Sequence, residues 1–283
     1  EAKNNIEKWL QPYKFDSVVP KTIAIVMAGN IPMVGFHDFL SVLISGHSVL
    51  VKQSSNDRHL LPYLTKILET VAPGFRGKVT FTEDRLDNFD AVIATGSDNT
   101  SRYFEYYFRD KPSIIRRNRN SVAILKGNET DEQLQALSED IFRYFGLGCR
   151  NVSKLFVPKD YNFDPFFNAI YSWRDIIHQN KYANNYDYNK AVFLMSEFDI
   201  LENGFLMIKH DESFSSPIAT VFYEYYDSID NLKTQLNTLS DKIQCVVANG
   251  FLDSEIEFGQ TQKPNLWDYA DDVDTISFAL KIC

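Results

Sequence analysis

Apolar residues along this chain alternate between short β-branched runs and longer segments in which they recur every three or four positions. The run "KTIAIVMAGN" predicts a buried parallel strand that ends at Gly29 and Asn30. Pro32 is placed to start a helix with Val34, Phe36, Phe39, Leu40, Leu43 and Ile44 on its apolar face, and Gly46 to stop it. "HSVLVKQSS" predicts the next strand, and a second amphipathic helix runs after Asp57 through Leu60, Leu64, Ile67 and Leu68 to about Val71. "KVTFTE" is a third strand, and "DAVIATGSDNTSRYFEYYF" continues with a strand, a Gly-Ser turn and a helix. Such alternation implies right-handed crossovers and a parallel, doubly wound α/β sheet.

The rhythm restarts at Ser121. "SVAILKG" is a strand, residues 130–145 are helical, and "SKLFVP" is a strand again. Residues 159–190, rich in Tyr and Asn, read as an irregular insertion on the surface. "AVFLM" and "ATVFYEYY" are expected strands, followed by a helix near 229–240 and the strand "IQCVVA". The tail "FGQTQKPNLWDYADDVDTISF" is too polar for a core and is expected to reach back to the first lobe. The expectation is two α/β lobes with Rossmann-like parallel sheets, 1–118 plus roughly 255–283 and 119–254.

Composition narrows the function classes. A length of 283 residues can bury a large core, and a net charge of −9 gives no basic surface for nucleic acid. No apolar run approaches the roughly 18 residues of a membrane span. Cys149, Cys245 and Cys283 lie far apart with no C-x-x-C pair, so a reducing, cytoplasmic setting is expected. The chain opens on Glu1 rather than Met, so a preceding segment is expected. The 22 Phe and 15 Tyr suit either a dense core or a pocket for a long apolar substrate.

The candidate chemistry centres on "FGLGCRNVSK". Free cysteines are usually small buried hydrophobes, but Cys149 follows Gly146 and Gly148 in a helix-to-strand connection, and Arg150 beside it would favour the thiolate that attacks carbonyl carbon. Cys245 reads as core and Cys283 as a frayed end. Asn30, at the carboxyl end of the first strand, is either a helix N-cap or an amide donor to an oxyanion. Lys52, followed by Gln53, Ser54 and Ser55, is the strongest local candidate for holding phosphate or ribose, against a solvated lysine at a strand end. Gly96 and Ser97 could open a helix onto a pyrophosphate or a nicotinamide. Arg116, Arg117 and Arg119 form either a phosphate-binding cluster or a solvated linker. His37 reads as structural, with a place near a substrate pocket as its alternative. No G-x-G-x-x-G follows a strand, and the five histidines show no metal-site spacing, so no metal is expected.

Taken in order, "VMAGNIPMVGFHDFLSVLISGHSVLVKQSSND", "VIATGS" and "GLGCRNVSKLFV" resemble blocks of the aldehyde dehydrogenase superfamily, most closely its LuxC-like acyl-CoA reductase branch. The resemblance covers nearly the whole chain. It implies Cys149 as nucleophile, Asn30 as side-chain oxyanion donor with the Cys149 N–H, Lys52 with Ser54 and Ser55 at the adenosine ribose or its phosphate, and Gly96 with Ser97 along the nicotinamide path. Ser55 stands where many members carry a Glu that repels a 2′-phosphate, which favours NADPH, with NADH the second choice. Two blocks depart from the pattern. "RRNRNS" puts Arg116 where the water-activating Glu stands, and "SFSSP" replaces Glu-x-Phe-Gly-Pro.

An enzyme lacking the hydrolytic base suits reduction of an acyl thioester, from a fatty acyl-CoA or an acyl carrier, to the aldehyde. The alternatives are an oxidative aldehyde dehydrogenase, a degenerate non-catalytic subunit, and a cysteine acyltransferase without nicotinamide. Aromatic loops would line a tunnel for the fatty chain, and a homodimer is among the expected states.

Overall fold

The computed structural model describes residues 2–16 and 18–282. The chain divides into two compact units, 1–118 with 265–283 and 119–264. The first contains α1 (Ala2–Leu10), β1 (Thr22–Val26), α2 (Phe36–Ile44), β2 (Ser48–Lys52), α3 (Leu60–Val71), β3 (Val79–Phe81), β4 (Ala91–Thr95), α4 (Asp98–Tyr107) and β5 (Ser113–Arg116). The second contains β6 (Asn120–Ile124), α5 (Asp131–Phe142), β7 (Val152–Pro158), α6 (Asp164–Ala169), α7 (Asn180–Met195), β8 (Ile200–Glu202), β9 (Met207–His210), β10 (Thr220–Tyr226), α8 (Ile229–Thr238) and β11 (Ile243–Val247). The chain closes with α9 (Thr275–Leu280) in the first unit.

The first unit's sheet has the order β3-β2-β1-β4-β5 among the described residues, with every pairing parallel. Strand order reverses between β1 and β4, the arrangement in which open α/β sheets leave a crevice at the carboxyl ends of the strands. β-branched runs supply the buried layer. Ile23, Ile25, Val49, Val51 and Ile93 meet Phe39, Val42 and Leu43 of α2 in one core cluster. The second unit's sheet runs β11-β6-β7-β10-β9-β8, parallel except for the short edge strand β8.

Five expectations need correction. α2 starts at Phe36 rather than Pro32, because Met33 takes a left-handed φ of 58° and donates its N–H to Asp57 Oδ2 at 2.5 Å. Strands β5, β8 and β9 have no counterpart in the sequence reading. "AVFLM" is the last turn of α7, not a strand. Tyr182, Tyr186, Asn189 and Phe193 form that helix's buried face at spacings of four and three, while Leu194 and Met195 point to solvent. Residues 159–190 are no surface insertion, for Phe166, Ile170 and Tyr182 are buried in the unit's core.

The polar tail is likewise part of the interior. Asp140 accepts from Gly259 N, Thr261 N and Thr261 Oγ1 at 2.7, 3.0 and 2.8 Å, which keeps the chain in the second unit past residue 255, and it returns to the first at 265. Beyond that point Trp9 Nε1 donates to Tyr269 Oη at 2.8 Å, Tyr13 Oη donates to Asp274 at 2.9 Å, and Ile276 and Ala279 are fully buried. Polar side chains enter this core because each finds a partner. No helix among the described residues is long and apolar enough to cross a membrane.

Candidate functional site

Asn30, Gly96 and Ser97 follow the carboxyl ends of strands in the first sheet and Lys52 is the last residue of one, where register sets Val26 beside both Lys52 and Ala94. The loops after β1 and β2 are tied together. A Cβ at Gly29 would lie 2.3 Å from Ser54 Oγ, so only glycine allows this approach. Gln53 Nε2 donates to Asp57 O at 2.9 Å, and Asp57 in turn holds Met33. Asn30 is exposed on the bend beyond β1. It is not the cap of α2, whose N-cap is Gly35.

Lys52 lines a cleft of about 310 Å³ with Gln53, Arg58, Phe81, Thr82 and Glu83. Its Nζ donates to Asp84 O at 2.8 Å, and Arg58 Nη1 pairs with Glu83 Oε1 at 2.9 Å. Ser54 and Ser55 do not line this cleft. Ser54 Oγ accepts from Asn56 N at 3.3 Å within the turn, and Ser55 faces solvent. Ser97 caps α4, its Oγ accepting from Thr100 N at 3.3 Å. At Gly96 a Cβ would lie 3.0 Å from Phe104 and Thr100, so the glycine lets α4 fold back onto β4. Two cations, an amide and a hydroxyl around one cleft, beside a sheet whose strand order reverses, fit the phosphate and ribose of a dinucleotide.

The three arginines do not cluster. Arg116 is 5% exposed and donates through Nη2 to Asp38 Oδ1 at 2.8 Å and through Nη1 to Ala270 O, while Thr275 Oγ1 bonds the same carboxylate at 2.9 Å. Arg117 pairs with Glu105 at 2.5 Å, and Arg119 donates to Ser240 O and Ile243 O at 3.4 Å. His37 is structural. Its Nε2 meets Leu266 O at 2.8 Å, and its ring packs on Trp9 and Tyr269.

In the second unit the cysteine turn is built from both sides. Thr130 and Gln133 form a capping box that starts α5, and the chain then leaves the helix through three left-handed residues, Tyr144, Phe145 and Gly146. Asn151, 1% exposed, staples the turn. Its Nδ2 donates to Asp140 O and Arg143 O and its Oδ1 accepts from Gly148 N, each at 2.9 Å. Ser121 Oγ donates to Cys149 O at 2.9 Å, and Arg150 Nε donates to Thr261 O at 2.5 Å. The Cys149 side chain is exposed at the amino end of β7.

Cys245 is buried in β11. Burial pushes its thiol above the ordinary range, against the Arg150 charge and a hydrogen bond with Ser121, and the nearby Cys149 adds to the upward push. Cys283 lies outside the described residues.

Phe142, Phe145, Tyr182 and Leu206 enclose a cavity of about 10 Å³, room for about one water molecule. Many aromatic residues of this unit pack on one another, as in the Phe142 and Trp173 stack at 5.5 Å. Among the described residues no three of His, Cys, Asp and Glu gather to hold a metal ion.

Arg58, Thr82 and Glu83 escaped the sequence reading. The signal for them was the pairing of β2 with β3, which brings two separate strand ends to one cleft.

The profile of the family described as acyl-CoA reductase (LuxC) matches residues 3–166, more than half of the chain. The chain belongs to that family. No curated protein matches this LuxC family member by sequence. Among solved structures it is similar to aldehyde dehydrogenase 21 from Physcomitrella patens in complex with the reaction product succinate, at 13% identity and a TM-score of 0.66 over 87% of this chain and 63% of that one. An NAD-dependent aldehyde dehydrogenase from Sinorhizobium meliloti gives 12% identity and a TM-score of 0.63, with coverage of 87% and 56%. The NAD⁺ complex of a Bacillus cereus aldehyde dehydrogenase gives 14% and 0.61, with coverage of 80% and 55%. At these identities the likeness establishes the aldehyde dehydrogenase fold, and this LuxC family chain spans 55% to 63% of the length of the three.

Proposed function

We propose that Cys149 is the nucleophile of an acyl-thioester reduction, with a fatty acyl-CoA or an acyl carrier thioester as donor. The Cys149 thiolate adds to the thioester carbonyl carbon, the bond from that carbon to the donor sulfur breaks, and the donor thiol leaves with a proton. The product of this step is a thioester on Cys149. A nicotinamide cofactor, NADPH in preference to NADH, supplies hydride when bound, so that the acyl carbon is reduced to the aldehyde and the Cys149 thiolate is expelled. In this reading the second unit carries the cysteine and the first unit the cofactor. Lys52, with Gln53 and Thr82, holds the nucleotide, and Gly96 and Ser97 lie along its phosphate path. Asn30 donates its side-chain amide to the oxyanion, a role carried over from the family resemblance.

The observation that carries the reading is the presentation of Cys149. Asn151 and Ser121 fix the backbone around it, Thr261 O holds the neighbouring Arg150 side chain, and the Cys149 side chain stays exposed. Reduction is favoured over hydrolysis because Arg116, at the position of the water-activating carboxylate, is committed to Asp38. Replacing Cys149 with Ala is expected to lower acyl-CoA-driven NADPH oxidation on the order of 10³-fold or more, with Cys245→Ala as the active control. Full turnover in the Cys149 variant, or a free carboxylic acid as the product of the unaltered protein, would overturn it.

A further inference from the structure

The cleft at the ends of β2 and β3 holds an ion pair that the proposed reaction leaves unexplained. Arg58 and Glu83 meet at 2.9 Å across its mouth, with side chains 49% and 80% exposed. A pair this open to water contributes little to stability and opens readily. Neither residue is needed to hold the loops together, since Gly29, Gln53, Met33 and Asp57 do that. Arg58 shares the cleft wall with Lys52, whose ammonium likewise has a movable arrangement, a single hydrogen bond to Asp84 O at 2.8 Å. A guanidinium offers two parallel donors that match two oxygens of a phosphate, and a nearby ammonium adds a point charge.

We infer that Arg58 selects a 2′-phosphorylated adenosine, and that Glu83 is the competing anion that holds the guanidinium while the cleft is empty. The inference rests on the reading of the first unit as the nucleotide-binding one. On binding, Arg58 leaves Glu83 and clasps the 2′-phosphate with Lys52, and the freed Glu83 turns to solvent. Because Glu83 both competes for Arg58 and repels the incoming phosphate, it weakens the selection. Its loss should therefore sharpen the preference rather than damage the site.

The test is calorimetric titration of the whole chain with adenosine 2′,5′-bisphosphate and with 5′-ADP. The expected preference for the bisphosphate is about tenfold or more, decaying as salt is raised. Arg58→Gln should erase that preference by lowering bisphosphate affinity far more than 5′-ADP affinity, with the thermal midpoint unchanged, and Glu83→Gln should enlarge it severalfold. A preference that survives Arg58→Gln, or a wild-type preference for 5′-ADP that depends on Glu83, would overturn the assignment. Equal binding of both nucleotides removes the inference alone, whereas no binding of either removes the nucleotide reading beneath it.

Discussion

The turn around Cys149 and the knot around Arg116 are both buried networks of hydrogen bonds built on a chemically able residue, but they spend it differently. At the turn, the partners bind the backbone. Asn151 satisfies Gly148, Asp140 and Arg143, and Ser121 takes the Cys149 carbonyl, so these bonds hold main chain around an exposed thiol. At the knot, the partners bind the side chain itself. Asp38, Ala270 and Thr275 surround the Arg116 guanidinium, which is then unable to serve a ligand. A network that holds main chain presents a functional group, and one that holds the group consumes it.

That contrast can be broken from either side. Arg116→Met leaves the Asp38 carboxylate buried with Thr275 and without its cation, and is expected to destabilise the chain by about 3–5 kcal/mol in denaturant unfolding. The double replacement Arg116→Met with Asp38→Leu should recover much of that loss; if the single variant is neutral, the knot is not structural. Asn151→Ala removes an acceptor and two donors from a buried turn, for an expected loss of about 2–4 kcal/mol and slower acylation of Cys149. Unchanged acylation would mean that the turn does not depend on its staple. Ser121→Ala sharpens the point with the smallest effect, about 1 kcal/mol, together with a fall in acylation rate of less than about tenfold. Acylation is followed by intact-mass measurement during incubation with an acyl-CoA, and a larger fall would make Ser121 part of the chemistry.

Much of this was legible along the chain. The β-branched runs and the three-to-four spacing of apolar residues give the doubly wound pattern, and glycines mark the turns after the first strands. The failures have two sources, a helical period that shows only over a longer window and partners that are distant in sequence. "AVFLM" looks like a strand until Tyr182, Tyr186 and Asn189 are seen to share one helical face with Phe193. The tail looks too polar to be buried until Tyr13 and Trp9 are found bonding Tyr269 and Asp274 from more than 250 positions away. For the candidate site, Cys149 and Asn30 stand out because each lies beside a strand at a glycine-marked turn, and Lys52 because it ends a strand and leads into Gln53, Ser54 and Ser55. Arg58 and Glu83 do not, since nothing in either segment announces that β2 and β3 are neighbours. The roles of Arg116 and Arg58 could not be told apart by charge alone; exposure separates them.

The central claim is that the exposed thiol, and not the buried one, takes the acyl group. Intact-mass measurement followed by peptide mapping, after incubation with an acyl-CoA in the absence of cofactor, tests it most directly. The account predicts one acyl adduct on the peptide containing Cys149, discharged as aldehyde when NADPH is added. No adduct, or an adduct on Cys245, would contradict it.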